Sequence, residues 1–304
     1  MPPVVTATHR VFDKDIPPAL RIEDGATVVF ECPSAFDWGP EATVADLPRL
    51  GGLPHIMAGP IAIDGAEPGD ALVIDILDVV LTSPQGVCAF GTTFGLLATD
   101  FDAPYLKVIH YRDGRGLIAP GVSVPLEPFL GIMSVAPPEP GEHRTTPPRR
   151  VGGNMDCRHL RPGTQLVLPV AVPGALFSCG DGHAAQGDGE VCGTGIETNV
   201  RATLTFSLIK GGAPPTPQAT VSRPLERTDR PSSHLLTTGL GEDLYACAQD
   251  AVRHMIARLV ADHGLSREDA YILCSLAADL RISEIVNRPT WMVSAYLPLS
   301  VFEN

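Results

Sequence analysis

The sequence predicts a mainly β chain, a sandwich or barrel, with a small C-terminal α/β portion. Three observations carry this. Thirty prolines and thirty glycines are spread through 304 residues, punctuating short segments as turns between strands do. Apolar runs of strand length follow the turn signals. The one strong helical periodicity comes late, beyond residue 241.

The elements follow in order. Asp24-Gly25 precedes a strand at 26–31 (ATVVFE), and Pro68-Gly69-Asp70 precedes one at 71–78 (ALVIDILD), whose later part alternates apolar and acidic residues. Residues 92–150 read as loop-rich, with a turn at Asp113-Gly114. The proline run at 137–148 reads as an ordered connection, because apolar Phe129, Leu130, Ile132 and Met133 precede it. Pro162-Gly163 opens a strand at 164–168 and Pro173-Gly174 one at 175–178; the EPGD and RPGT units hint at a duplicated β unit. A strand at 199–209 is followed by a polar, proline-rich stretch at 211–231, a natural boundary. The expected division is therefore 1–210, as β units of about 1–135 and 136–210, and 211–304. In the last part Leu244, Cys247, Ala251, Met255 and Leu259 recur at helical spacing. Gly264 caps that helix, and Ser266 with Asp269 opens another. Residues 291–297 (WMVSAYL) form a final strand.

Composition excludes several classes. A net charge of −13 with no lysine- or arginine-rich run argues against nucleic acid as a partner. The N-terminal MPPVVTATHRVFDKD has no apolar core of a leader, and no apolar run approaches the roughly 20 residues of a spanning helix, so the expectation is a cytoplasmic protein without a membrane partner. Seven cysteines with no CxxC pair read as reduced core thiols, not as a cysteine-rich zinc site.

The stretch 151–198 holds the chemistry. It sets Asp156, Asp181, His183, Asp188, Glu190 and Glu197 among glycines, a mixture that a folding core does not need. Asn154 and Asp156 are two apart, as are Asp181 and His183, so on strands each pair shares a face. Two such edges facing one another would present an imidazole and several oxygens to one point. That donor set suits a divalent ion, with zinc the first choice and calcium the alternative. The bland reading is that Asp181-Gly182 and Asp188-Gly189 are hairpin turns, and for Asp188 it is preferred. A cysteine nucleophile at Cys192, before Gly193-Thr194-Gly195, is the weaker reading, since no lysine occurs between Lys107 and Lys210. Neither a GxSxG nucleophile turn nor a GxxxxGK[ST] phosphate loop is present.

Several segments together resemble one family. GGNMD, GDGHAAQGDGE and CGTGIE in the stretch above, HIMAGPIAIDGAEPGD at 55–70, VPLEPFLGIMSVAPPEPGEH at 124–143 and LCSLAADLRISEIVNRPTWMVSAYLP at 273–298 are similar, in order, to motifs of the acetamidase/formamidase family, with the shorter members the better match. The resemblance implies jelly-roll-like β domains with a few helices, a homo-oligomer, and hydrolysis of a small linear amide to ammonia and a carboxylate. It tips Asp181 and His183 toward metal ligands, beside Asp156, and matches His55 to the histidine opening the N-terminal motif, as a fourth ligand. Ile56 and Ala58 depart from that motif, which bears on substrate range. Hydrolysis also needs a carboxylate that moves a proton to the leaving nitrogen and fixed donors for the oxyanion. Glu142, in PGEH, and Glu197, in CGTGIE, are the candidates for the proton; Asn154, His143 and Gly193 are candidates for holding substrate. For His143 the alternative is a loop residue bonding backbone carbonyls. The rival functions are a hydrolase of a larger or cyclic amide and a non-catalytic, metal-stabilised β module that binds a ligand.

Overall fold

The strand expected at 26–31 appears as Thr27–Cys32, whose side chains are by turns half-buried and buried. The computed structural model describes residues 1–35, 42–46, 54–221 and 233–302. Strand Thr27–Cys32 belongs to a six-stranded sheet in the order Val4–Val5, Thr27–Cys32, Val200–Ile209, Ala71–Leu81, Thr164–Pro169, Gln218–Val221. The EPGD and RPGT units thus lead into antiparallel neighbours, with Leu72 opposite Leu168.

A second sheet packs on the first. Its order is Pro148–Arg149, Gly152–Asn154, Phe129–Ser134, Phe177–His183, Met57–Ile63, Thr8–His9, with Leu20–Ile22 also paired to Met57–Ile63. Between the sheets lies an apolar core that includes Phe30, Ile74, Leu168 and Phe206 from the first and Ile61, Leu130, Met133 and Phe177 from the second. Phe30, Phe177 and Phe206 meet edge to face, with centroids 5.0 to 6.1 Å apart. This is the β sandwich that the sequence predicts.

A four-stranded meander, Gln85–Phe90, Tyr105–Arg112, Arg115–Ala119, Val122–Pro125, stands beside it. The C-terminal part adds a three-stranded sheet, His234–Gly241, Trp291–Pro298, Asp279–Glu284, with helices α1 (Leu244–His263) and α2 (Arg267–Ala277). Gly264 caps α1 in the left-handed region at φ 65°, and the Ser266 hydroxyl accepts from the Asp269 amide at the start of α2. The second core joins these helices to Phe90, Ile109, Val191, Cys192 and Ile196. The described residues 233–302 therefore bury their apolar faces against the middle of the chain.

Two expectations are corrected. Residues 92–150 hold five complete strands, from Tyr105–Arg112 to the two-residue Pro148–Arg149, in place of a loop-rich run; Asp113 and Gly114, both left-handed, make the tight turn that joins the first two. Strand Phe129–Ser134 is buried along its whole length, so it lacks the alternation that marks a strand. The strand expected at 175–178 starts later, at Phe177, because Ala175 and Leu176 take left-handed φ values of 58° and 55° and extend the Pro173-Gly174 turn. No helix among the described residues is long and apolar enough to cross a membrane.

Candidate active site

One glycine in a buried strand organises the site. Strand Phe129–Ser134 runs between Gly152–Asn154 on one side and Phe177–His183 on the other. Its carbonyl at Gly131 accepts from the amides of Met155 and Asp156, which fixes the chain just past Asn154. Across the other edge Leu130 pairs with Gly182 and Ile132 with Gly180, which sets Gly131 level with Asp181. A Cβ on Gly131 would stand 2.6 Å from Asp156 Oδ1 and 2.6 Å from Asp181 Oδ2. The two carboxylates converge over the space that this glycine leaves.

His183 closes the inner side. Its Nε2 is 3.0 Å from Glu197 Oε1, 3.4 Å from Asp181 Oδ1 and 3.9 Å from Glu190 Oε1. The ring lies edge to face on Phe129, with centroids 5.2 Å apart. Residues 194–198 run back along the end of the His183 strand, bridging Glu197 to His183 and to Val87. Glu197 Oε1 also accepts the Gly195 amide at 3.1 Å. Two overlapping groups could each hold a cation: Asp156, His183 and Glu190, and Asp181, His183 and Glu197. Asp181, His183 and Glu197 are buried, whereas Asp156 and Glu190 are half-buried and form the open side.

The C-terminal part steadies the outer segment. Ser275 of α2 accepts the Cys192 and Gly187 amides, through its hydroxyl and its carbonyl. The Arg158 guanidinium reaches Asp188 and Asp279, each at 3.1 Å. These contacts hold the chain on both sides of Glu190. Three of the four carboxylate residues, Asp156, Asp181 and Glu190, have left-handed φ values of 44°, 58° and 44°. Such backbone is costly for these residues and collects at functional sites.

The electrostatics follow from crowding. The imidazole of His183 is the charge partner of Asp181, Glu190 and Glu197 alike. Burial would raise Asp181, but the imidazoles of His183 and His55 outweigh it and hold that carboxyl below its usual range. Asp156 is pushed up to about 8 by burial and then by the charge of Asp181. Burial, and then Asp156, drive Glu190 well above its ordinary value. Burial lifts Glu197 to about 7, with His183 opposing and Asp181 adding to the rise. For His183 burial opposes the proton, but Glu197 and Asp181 raise its value well above normal. One imidazolium cannot balance four carboxylates, so most of them keep protons unless a cation joins them.

The donor set fits a divalent ion. Carboxylate oxygens and one imidazole nitrogen converge, and Asp156 Oδ1 and Glu197 Oε2 are enclosed without a hydrogen-bond partner. His55 is buried, with its amide and Nδ1 both on Thr145 Oγ1 and its charge felt by Asp181. Asn154 ends its strand with Oδ1 enclosed and unpartnered.

Other expected residues sit elsewhere. Glu142 is exposed, outside the buried cluster. His143 is half-buried on the same loop, and its ring bonds the Glu139 carbonyl, the loop role given as the alternative. The Gly193 amide is spent on the Glu190 carbonyl at 2.8 Å, so it is no free donor for an oxyanion. Cys192 is fully buried, with Sγ 3.4 Å from the Ala89 carbonyl oxygen and 3.7 Å from Cys88 Sγ, facing the second core. Asp188-Gly189 is the turn expected of it, whereas Asp181-Gly182 lies within a strand. The sequence reading passed over Gly131, and no pattern marks a glycine whose role is to be small. Glu190 follows the Asp188-Gly189 turn and joins the site as a carboxylate.

The chain is similar to known proteins along its length. A formamidase of Methylophilus methylotrophus is 26% identical, with 97% of this chain and 89% of that protein covered. A solved acetamidase from Bacillus halodurans is 31% identical with a TM-score of 0.66, covering 98% of this chain and 97% of that one. A gamma lactamase from Delftia acidovorans superposes with a TM-score of 0.89 at 25% identity, covering 98% of this chain and 90% of that one. The sequence model of the Acetamidase/Formamidase family matches residues 4–140 and 139–304, and the chain belongs to that family.

Proposed function

We propose that the cluster hydrolyses a small linear amide, of the formamide and acetamide class, to ammonia and a carboxylate, with a divalent ion held by Asp156, Asp181 and His183. Family membership makes the chain an amidohydrolase of linear C–N bonds. The observation that supports the ion is the gathering of four carboxylates about a single imidazole, a charge imbalance that a divalent cation would relieve. When bound, such an ion polarises a carbonyl oxygen and makes water acidic near neutral pH. Zinc suits the mixed oxygen and nitrogen donors best.

The chain's own groups do the rest. Glu197 keeps Oε1 on the Gly195 amide, which leaves Oε2 to take a proton from water and pass it to the leaving nitrogen. A C–O bond forms, the C–N bond breaks, and the nitrogen departs carrying that proton. Asn154 Oδ1 is an acceptor for an N–H of the substrate. The side formed by Asp181, His183 and Glu197 is buried, so substrate and the attacking water enter past Asp156 and Glu190.

A second reading, hydrolysis of a cyclic amide, is favoured by the close superposition on the gamma lactamase. A panel of formamide, acetamide and a γ-lactam separates the two by which substrate gives the larger kcat/KM. The metal assignment is tested by His183→Ala. Bound metal and turnover should fall together; full metal occupancy in that variant would remove His183 from the ligands.

A further inference from the structure

We infer that Gln186 is a positioning residue that fixes the tautomer and the aim of His183. The inference rests on the metal reading above and concerns the ring that it makes a ligand.

Gln186 is buried, and both ends of its amide are engaged inside the site. Its Oε1 is 2.7 Å from His183 Nδ1, and its Nε2 donates to the Asp156 carbonyl at 2.7 Å. A carbonyl oxygen can only accept, so the hydrogen between Gln186 and His183 sits on Nδ1. The amide cannot turn over, because its oxygen would then face the Asp156 carbonyl, acceptor against acceptor. Once a cation displaces its second proton, the ring therefore presents a bare Nε2 on the side of Asp181, Glu190 and Glu197. That is the nitrogen a metal ion would use.

The ring has little freedom to turn away. Phe129 meets it edge to face, and the Gly195 backbone lies so close that a Cβ there would be 2.8 Å from Nδ1. Gln186 also restrains a second ligand. Asp156 has left-handed backbone, and its carbonyl is held by the same amide that orients His183. One side chain thus sets the ring of one ligand against the backbone of another. Hydrogen bonds of this kind behind a ligating histidine are worth about 10- to 100-fold in metal affinity.

The test uses the full chain, stripped of metal and titrated with zinc, as wild type, Gln186→Leu and Gln186→Glu. Leucine fills the space but accepts and donates nothing. Glutamate still accepts from Nδ1–H and, protonated on its other oxygen, still donates to the Asp156 carbonyl. Zinc affinity should fall about 10- to 100-fold in Gln186→Leu and stay within a few-fold of wild type in Gln186→Glu. Ring ¹⁵N signals of His183 should show the hydrogen held on Nδ1 in wild type and Gln186→Glu, and lost or mobile in Gln186→Leu. Affinity and ring signals unchanged in Gln186→Leu would overturn the inference, as would equal losses in both variants beside a lowered Tm, which is the mark of packing alone. If Gln186→Leu does not fold, Gln186→Glu decides: retained affinity supports the role and a drop beyond tenfold refutes it. A wild-type chain that takes up no zinc sinks the metal reading instead, and the ring signals then judge Gln186 by themselves.

Discussion

Glu197→Gln is expected to keep its metal at near wild-type occupancy while turnover of formamide falls by about 10²- to 10⁴-fold, the usual worth of general acid–base catalysis. Glutamine preserves the shape and can still accept the Gly195 amide, but it cannot carry a proton. Glu197 lies against His183 Nε2 at 3.0 Å, inside both the acid cluster and the fold. The measurement is metal content and kcat on the same preparation. Loss of metal would make Glu197 a ligand. Unchanged turnover would pass the proton to another carboxylate, and Glu190, on the open side and 3.9 Å from His183 Nε2, is the next candidate.

Gly131→Ala should be nearly as damaging, although no chemistry resides in the residue. Gly131 sits in a regular strand and is not among the glycines with positive φ, so alanine meets no backbone strain. The added methyl would lie 2.6 Å from a carboxylate oxygen of Asp156 and of Asp181 at once. Both must move apart, and a displacement near 1 Å in such a site costs about 100-fold in rate. Zinc affinity and kcat/KM should drop together while Tm of the metal-free protein stays close to wild type. A variant with wild-type zinc affinity and kcat/KM would mean that the two carboxylates do not act as a unit.

These two residues also mark what a sequence can and cannot tell. Glu197 announced itself as a charged group in a glycine-rich stretch, and charge in such places carries a desolvation cost that only function or pairing offsets. Gly131 gave no such signal, because its contribution is a missing side chain seen only when three strands are assembled. The same division runs through the fold. Strands with one wet face, such as Thr27–Cys32 and Val200–Ile209, were legible as apolar-rich runs of strand length, the first behind the Asp24-Gly25 turn. Phe129–Ser134, buried on both faces, was not. Helix α1 and its Gly264 cap were plain, since an amphipathic stripe and a left-handed stop are local properties. The core that α1 shares with residues 88–196 is not local and left no trace in the sequence.

Within the site, the i, i+2 spacing put Asp181 and His183 on one strand, yet its geometry differs from a plain pleat. Asp181 has a φ of 58°, and the two expected edges do not face each other directly but flank the Gly131 strand. Glu142 and His143 belong to a motif as regular as any other, but the PGEH loop leaves Glu142 in solvent and spends His143 on its own backbone. Motif membership records what the family keeps, and only packing shows which members meet.

The most direct test of the whole account is ammonia release from an amide substrate such as formamide by the purified protein, followed through removal of metal by a chelator and return of zinc. The account predicts that activity falls with the metal and returns as zinc reaches a stoichiometric amount. Full activity in protein shown to be free of metal would contradict it, because the carboxylates around His183 would then be working without a cation to offset their charge.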